Sequence, residues 1–134
     1  MSSSANAPSQ DLKDIIDESS SNLVLTFGTD LFIATMPTEP DNCVCLYDYP
    51  GGPQGKFDHE FPNVQVKVRN RDYQTGYALC RDIKYFLHDE HNNEVINTTR
   101  YIRIYCISDI LYLKQDEKNR YLWSINFSAE RSGN

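Results

Sequence analysis

The most regular pattern in the chain is an alternation of valines with polar residues, PNVQVKVR, at residues 62–69. Successive side chains of a strand point to opposite faces of a sheet, so Val64, Val66 and Val68 are predicted to face a core. The polar residues between them then face away from that core. The pattern predicts a half-buried strand.

A helix is predicted directly after this strand. Asp72 is suited to cap it, because an Asp carboxylate accepts hydrogen bonds from the free N–H groups of a first helical turn. Apolar residues then recur at helical spacing: Tyr73, Tyr77, Cys80, Ile83, Phe86 and Leu87. Glycine inside a helix costs about 1 kcal/mol relative to alanine, which favours close approach of another backbone at Gly76 over an incidental glycine.

Shorter extended segments lie on both sides of these two elements. Strands are predicted at residues 23–27, 31–34, 43–49 and 100–107, and a hairpin with arms at 111–113 and 121–127. In the segment 100–107, the alternation places residues 102, 104 and 106 on one face of the strand and Tyr101 on the other face. Ser9 is predicted to cap a short first helix, residues 50–62 to form a long connection, and the chain to fray from Ser128 onward.

The order of helix, strands, helix and strands predicts an α+β fold with a mostly antiparallel central sheet flanked by two helices. At 134 residues the chain fits one domain. We expect that domain to cover residues 9–131, with a flexible tail at 1–8 and a short C-terminal tail at 132–134.

The composition excludes several functional classes. With 40% hydrophobic and 24% charged residues, it is typical of a globular protein. The net charge of -6 argues against tight binding of duplex DNA, because proteins that hold phosphate backbones carry surplus lysine and arginine. No apolar run approaches the ~20 residues needed to cross a bilayer, and the first residues lack the features of a signal peptide, so a cytoplasmic origin is expected.

Candidate catalytic and metal-binding residues are few. His88 and His91 are three apart near a helix end, but a zinc site needs three or four ligands, and His59 has no defined relation to them. A solvated helix end is therefore favoured, and no metal or cofactor is expected. The acid and base groups at 58–60 lack a nucleophile and oxyanion donors.

Cysteines and aromatic residues are assigned to the interior. The four cysteines, at 43, 45, 80 and 106, are expected to be buried reduced thiols rather than disulfides.

The aromatic side chains of Tyr101, Tyr105, Tyr121 and Trp123 have arginines nearby in sequence. They fit a sheet core or a subunit interface better than a stacking surface for single-stranded nucleic acid.

Several ordered motifs carry a family resemblance. They are DLFI at 30–33, MP at 36–37, PDN at 40–42, LYD at 46–48, GG at 51–52, PNVQVKVR at 62–69, and DEKNR at 116–120 leading to SINF at 124–127. As a set they resemble the phage minor capsid protein family, and the similarity extends over residues 10–131. The resemblance implies a tail terminator, also called a tail-completion protein, of tailed bacteriophages.

This resemblance implies a structural virion subunit and not an enzyme. It implies a ring, commonly of six copies, that caps the head-proximal end of the tail tube and binds the tail-tube protein and the head connector or neck proteins. DNA is expected to pass through the ring without specific binding. The expected location is the tail–neck junction of the virion, after assembly in the cytoplasm of the host bacterium.

Two alternatives remain open. The nearer one is a head-side neck protein, such as a stopper or adaptor of the head–tail connector. The other belongs to a different class, a metal-dependent phage enzyme that uses His88 and His91.

The candidate interface residues lie in the long connection and at the hairpin tip, because loops on a rigid scaffold commonly carry function. They are Tyr49, Pro50, Gly51, Gly52, Phe57, Phe61, Asp116, Glu117, Lys118, Asn119 and Arg120. The alternative is that both segments are plain surface connections.

Overall fold

The computed structural model describes residues 6–18, 22–51 and 59–132. Within them, the helices are α1 (Pro8–Asp17) and α2 (Tyr73–Leu87). The strands are β1 (Leu31–Ile33), β2 (Cys43–Tyr49), β3 (His59–Glu60), β4 (Asn63–Asn70), β5 (Glu94–Ile96), β6 (Thr99–Cys106), β7 (Leu111–Gln115) and β8 (Tyr121–Ser132). The predicted α+β class with two helices is confirmed. Neither helix is long and apolar enough to span a membrane.

All eight of these strands belong to one sheet, in the order β1-β2-β4-β8-β6-β5, with β3 and β7 also paired to β8. The expected sheet needs a correction, because it is mixed and curls into a half-barrel. The strand β1 runs parallel to β2, whereas the other paired strands are antiparallel. Residues 34–42 cause this difference, since they return the chain to the starting end of β1 before β2 begins.

The strand β8 lies at the centre of the sheet. On one side it pairs with β4 and then β3, and on the other with β7 and then β6. The expected fraying from Ser128 is therefore wrong. Backbone groups beyond Ser128 are held by neighbouring strands, and the N–H of Ala129 donates to the carbonyl of Pro62 at 2.9 Å.

Both helices pack on the sheet face that carries Val64, Val66 and Val68. These valines are buried as the alternation predicts, in a core shared with Leu12 and Ile16 of α1 and with Cys80, Ile83 and Leu87 of α2. The side chain of Asp72 caps α2 as predicted, accepting the N–H of Thr75 at 2.8 Å.

The glycine inside α2 is explained by close packing. A Cβ added at Gly76 would lie 2.9 Å from Cδ1 of Trp123. The close neighbour is therefore a side-chain ring, whereas the sequence favoured a backbone. An alanine at this position would push the ring of Trp123 out of its place in the core.

Two predictions near the N-terminus fail. The helix α1 begins at Pro8 with Ala7 at the cap position, and Ser9 instead donates its N–H and its hydroxyl to Asp48 at 2.8 and 2.6 Å. Residues 23–27 form no named strand. Only Phe27 among them forms a bridge, to Leu31. A turn that contains Gly28, whose φ is positive, lies between Phe27 and Leu31 and ends the extended segment there.

A third prediction fails in β6. A bulge lies between Tyr101 and Arg103 in the pairing with β8. An extra residue in one strand reverses the faces of the residues that follow it. Tyr101 and Ile104 are consequently both buried on the core face, where the sequence placed them on opposite faces.

Candidate assembly surfaces

The hairpin tip, residues 116–120, joins β7 to β8. Its residues Glu117, Lys118 and Asn119 are exposed, whereas Arg120 is buried and Asp116 is half-buried. The carboxylate of Asp116 accepts the side chain of Arg120 at 2.9 Å and the backbone N–H groups of Lys118 and Arg120 at 3.0 Å. Desolvation opposes ionisation of Asp116, but these hydrogen bonds outweigh it and hold the pKa of the carboxyl below its usual 3.8.

Two buried arginines tie this tip to the connection between β1 and β2. Nη1 of Arg120 donates to the carbonyl of Thr38 at 2.5 Å. Arg69 donates to the carbonyls of Pro37, Pro40 and Asp41 at 2.7, 2.6 and 3.1 Å. A guanidinium can bind several carbonyls at once because its donors form a rigid fork. Residues 37–41 are therefore fixed to β4 and to the hairpin tip although they form no regular structure.

The other candidate segment lies where β2 ends and β3 begins. Tyr49 and Phe61 are half-buried, Pro50 and Gly51 are exposed, and Gly52 and Phe57 lie outside the described residues. A Cβ added at Gly51 would lie 1.8 Å from the carbonyl oxygen of Phe61, so only glycine fits there. An open cleft of about 400 Å³ runs along this segment, lined by Tyr49, Gly51 and Phe61 among others.

A buried polar network underlies this cleft. Arg131 donates to Glu60 at 2.8 Å and to the hydroxyl of Tyr101 at 3.1 Å, and its guanidinium lies 3.5 Å from the carboxylate of Asp11. Asp11 also accepts the hydroxyl of Tyr101 and the amide of Asn97, both at 2.6 Å. Burial, together with the bond to Asp11, raises the pKa of Tyr101 well above 10, so its phenol stays protonated. The network fastens α1 to β6 and β8.

The two candidate segments lie at opposite ends of the sheet. Tyr49 pairs with Asn63 at the first residue of β4, whereas Asn70, at its last residue, pairs with Tyr121 next to the hairpin tip. The 8 residues of β4 span roughly 25 Å, at about 3.3 Å per residue. We call these surfaces the cleft end (residues 49–51 and 59–63) and the tip end (residues 37–41 and 116–120).

The outer edge of β7 forms a surface that the sequence reasoning missed. In the part of the chain that the structure describes, β7 pairs with β8 alone, and all of its residues are exposed. Its apolar side chains remain largely accessible, at 57% for Leu111, 38% for Tyr112 and 38% for Leu113. An unpaired edge with apolar side chains favours association with another chain. The run of three apolar residues at 111–113 is the sequence feature that could have indicated this surface.

Two of the four aromatic side chains considered for a stacking surface, Tyr101 and Trp123, are buried. Trp123 packs against Tyr73, Tyr77 and Tyr112, with ring centroids 4.8, 5.4 and 5.3 Å away. Tyr101 is buried in the polar network, and Arg103 binds Asp89 at 2.9 Å. Arg103 also packs over the ring of Tyr105, 4.3 Å from its centroid, whereas Tyr101, Trp123 and Arg120 are buried.

The histidines bind separate partners. Nδ1 of His88 accepts the N–H of Cys106 at 2.8 Å, whereas His91 contacts the carboxylate of Glu94 at 3.2 Å and the carbonyl of Phe86 at 3.0 Å. Among residues 6–18, 22–51 and 59–132, no group of three or more His, Cys, Asp or Glu side chains is placed to hold a metal ion.

The four cysteines are free thiols, and Cys43, Cys45 and Cys80 are buried. Burial raises the pKa of the thiols of Cys43 and Cys45, and it raises that of Cys80 to about 12. A thiol with a raised pKa forms little of the nucleophilic thiolate. These groups therefore act as small apolar side chains.

Comparisons with known proteins give one family and one fold. Residues 20–132 match the model of a family described as bacteriophage tail terminator protein. Seven chains of solved structures match. One belongs to a structure described as the virion of a native gene transfer agent particle, with a TM-score of 0.65 and 16% identity over 95% of this chain and 96% of that chain. At this identity the likeness shows the fold alone. No protein with a curated description matches.

Proposed function

Because this chain belongs to the bacteriophage tail terminator family, we propose that it forms a ring that caps the tail tube and joins the tube to the head connector. The family is one of structural phage tail proteins, and the proposed role needs no catalytic group. The observation that carries the proposal is the position of the cleft end and the tip end at opposite ends of one sheet.

A physical argument connects this geometry to termination. Growth of a tube repeats one head-to-tail contact and has no intrinsic stop. A terminator must therefore fit the tube with one surface and present a different surface beyond it. The two ends differ in this way, since the tip end exposes Glu117, Lys118 and Asn119, whereas the cleft end exposes Pro50 and Gly51.

The proposed partners are five further copies of the chain, the tail-tube protein and the connector or neck proteins. The proposed location is the tail–neck junction, reached after assembly in the cytoplasm of the host. DNA passes through the ring without specific contacts. A net charge of -6 supports this, because it limits attraction between the passage and phosphate groups.

A phage that lacks this chain tests the proposal. We expect filled heads and separate tail tubes of irregular and excessive length in electron micrographs of the lysate. Tails of normal and uniform length would exclude a terminator. Heads that leak DNA, with tubes of normal length, would favour the neck stopper or adaptor.

Charge variants at each end refine the test. Lys118→Glu changes the tip end and Pro50→Glu the cleft end, and both side chains lie on the surface. We expect one variant to produce overlong tubes and the other to produce tubes of normal length that fail to join heads. The same defect from both variants, with native circular dichroism, would contradict the assignment of different partners to the two ends.

A further inference from the structure

We infer that the outer edge of β7 binds the next copy of this chain, against the corner that precedes β1. We call these surfaces the β7 strip (Ile107, Leu111, Tyr112 and Leu113) and the β1 corner (Val24 and Phe27). The inference rests on the ring proposed above and specifies its lateral contact.

The two surfaces lie on opposite edges of one row of five strands. Strand register connects Tyr112 of β7 to Trp123, Val68, Val44 and finally Leu31 of β1. Phe27 bridges to Leu31 on the side of β1 that faces away from β2. A ring made by head-to-tail contacts needs two different surfaces on opposite sides of each subunit. The β7 strip and the β1 corner meet this requirement.

Both surfaces expose apolar side chains. At the β1 corner, Val24 is 87% exposed and Phe27 44%. At the β7 strip, Leu111 is 57% exposed and Ile107 46%. Together the exposed parts of the β7 strip provide on the order of 300 Å² of apolar surface. This surface is divided between the two faces of the edge, because Leu111 and Leu113 alternate with Tyr112. A stable contact buries about 800 Å² on each partner, so the strip can form the centre of such a contact.

The charges around the two surfaces are partly complementary. Lys13 lies over the ring of Phe27 at the β1 corner, 4.1 Å from its centroid, but it is already paired with Asp14. At the β1 corner, Asp17 and Asp30 accept the backbone N–H groups of Phe27 and Thr26 at 3.0 and 2.7 Å. In the described ranges, neither carboxylate forms an ion pair with a basic side chain.

At the β7 strip, Lys114 belongs to the strand, and Lys84 borders the shallow cleft next to Ile107, which Asp109 also lines. The lysines of one copy can therefore face the carboxylates of the next. Such complementarity orients the two surfaces and disfavours contact between two identical strips.

Single substitutions test each surface. We expect the wild-type chain to form rings in mass photometry, and Leu111→Arg and Val24→Arg to be monomeric. Val95→Arg is the matched control, because Val95 is 51% exposed on β5, and β5 pairs with the part of β6 that lies next to the last residues of β8, whereas β7 pairs with the first residues of β8. This variant should still form rings. Far-ultraviolet circular dichroism and the thermal midpoint establish that each variant is folded.

Mixing the two variants tests that the surfaces bind each other. Leu111→Arg keeps an intact β1 corner and Val24→Arg keeps an intact β7 strip, so an equal mixture should form two-chain complexes and nothing larger. A mixture that stays monomeric, or a folded Val24→Arg that forms rings, would overturn the inference. A wild-type chain that is monomeric up to its solubility limit would overturn it as well.

The test of the lateral contact can fail independently of the test of the terminator role. If both variants form rings and the phage lacking the chain still makes overlong tubes, the lateral contact lies elsewhere and the terminator role stands. If tails without the chain have normal length, the terminator role fails whatever the variants do.

Discussion

Replacing Arg120 by methionine tests whether a buried guanidinium holds the tip end together. Methionine keeps an unbranched apolar stem but donates no hydrogen bond. The substitution removes the donors to Asp116 at 2.9 Å, to the carbonyl of Thr38 at 2.5 Å and to Asp41 at 3.4 Å. We expect the free energy of unfolding to fall.

The magnitude depends on which acceptors keep another partner. The carbonyl of Thr38 still lies 3.3 Å from Arg69, Asp41 keeps Arg71 at 3.2 Å, and Asp116 keeps two backbone N–H groups. A charge-assisted hydrogen bond contributes about 1.5–3 kcal/mol. Breaking a fully buried ion pair costs about 3–5 kcal/mol. Because the acceptors remain partly satisfied, we expect a loss of about 2–3 kcal/mol.

Urea unfolding at pH 7 measures this loss, and the thermal midpoint should fall by about 10 °C for a chain of this length. Lys118→Met is the matched control. Its exposed ion pair with Glu39, at 3.6 Å, should contribute about 0–1 kcal/mol. If Arg120→Met stays within about 0.5 kcal/mol of the wild type, the guanidinium adds no net stability and the reasoning is refuted.

Three further outcomes are expected. Tyr101→Phe should cost about 1.5–2 kcal/mol in urea unfolding, because Asp11 loses the hydroxyl at 2.6 Å; an unchanged midpoint would contradict this. The pKa of Asp116 is lowered on folding, so the ionised carboxylate stabilises the fold above about pH 4, and this stabilisation is lost as the pH falls further. The loss of unfolding free energy in Asp116→Asn should therefore become smaller at low pH, and a loss that does not change with pH would refute this. A strong chelator should leave the thermal midpoint unchanged, and a large drop would return attention to His88 and His91.

Local patterns were sufficient where one face of an element meets the core. The valines of β4 and the Asp72 cap of α2 were predicted correctly, because a strand period of two and a cap position are properties of neighbouring residues. The faces of β6 were not, because the bulge at Tyr101 arises from its pairing with β8. Sequence periodicity carries no information about such an insertion in the register.

The same difference between local patterns and long-range contacts applies to the candidate surfaces. Turn-forming composition alone was sufficient to place residues 50–51 and 117–119 outside the strands, whereas Tyr49 is the last residue of β2. Arg120 was grouped with them, yet its side chain is buried, because two of its acceptors, Thr38 and Asp41, lie far away in the sequence. The polar residues after Ser128 were read as a fraying end for the same reason. Arg131 is polar but buried, and its partner Asp11 lies near the other end of the chain.

The strand β8 connects the two ends for which we propose different partners. Its first residue adjoins the hairpin tip, its last residues pair with β3 at the cleft end, and neighbouring strands hold it on both sides. A strand paired on both sides cannot change its length without breaking several backbone hydrogen bonds, so the separation of the two ends is fixed by backbone geometry. In the proposed ring, every copy would then present its two ends at the same height. The tube and the connector would each meet a flat rim, which is the geometry that a joint between two stacked rings requires.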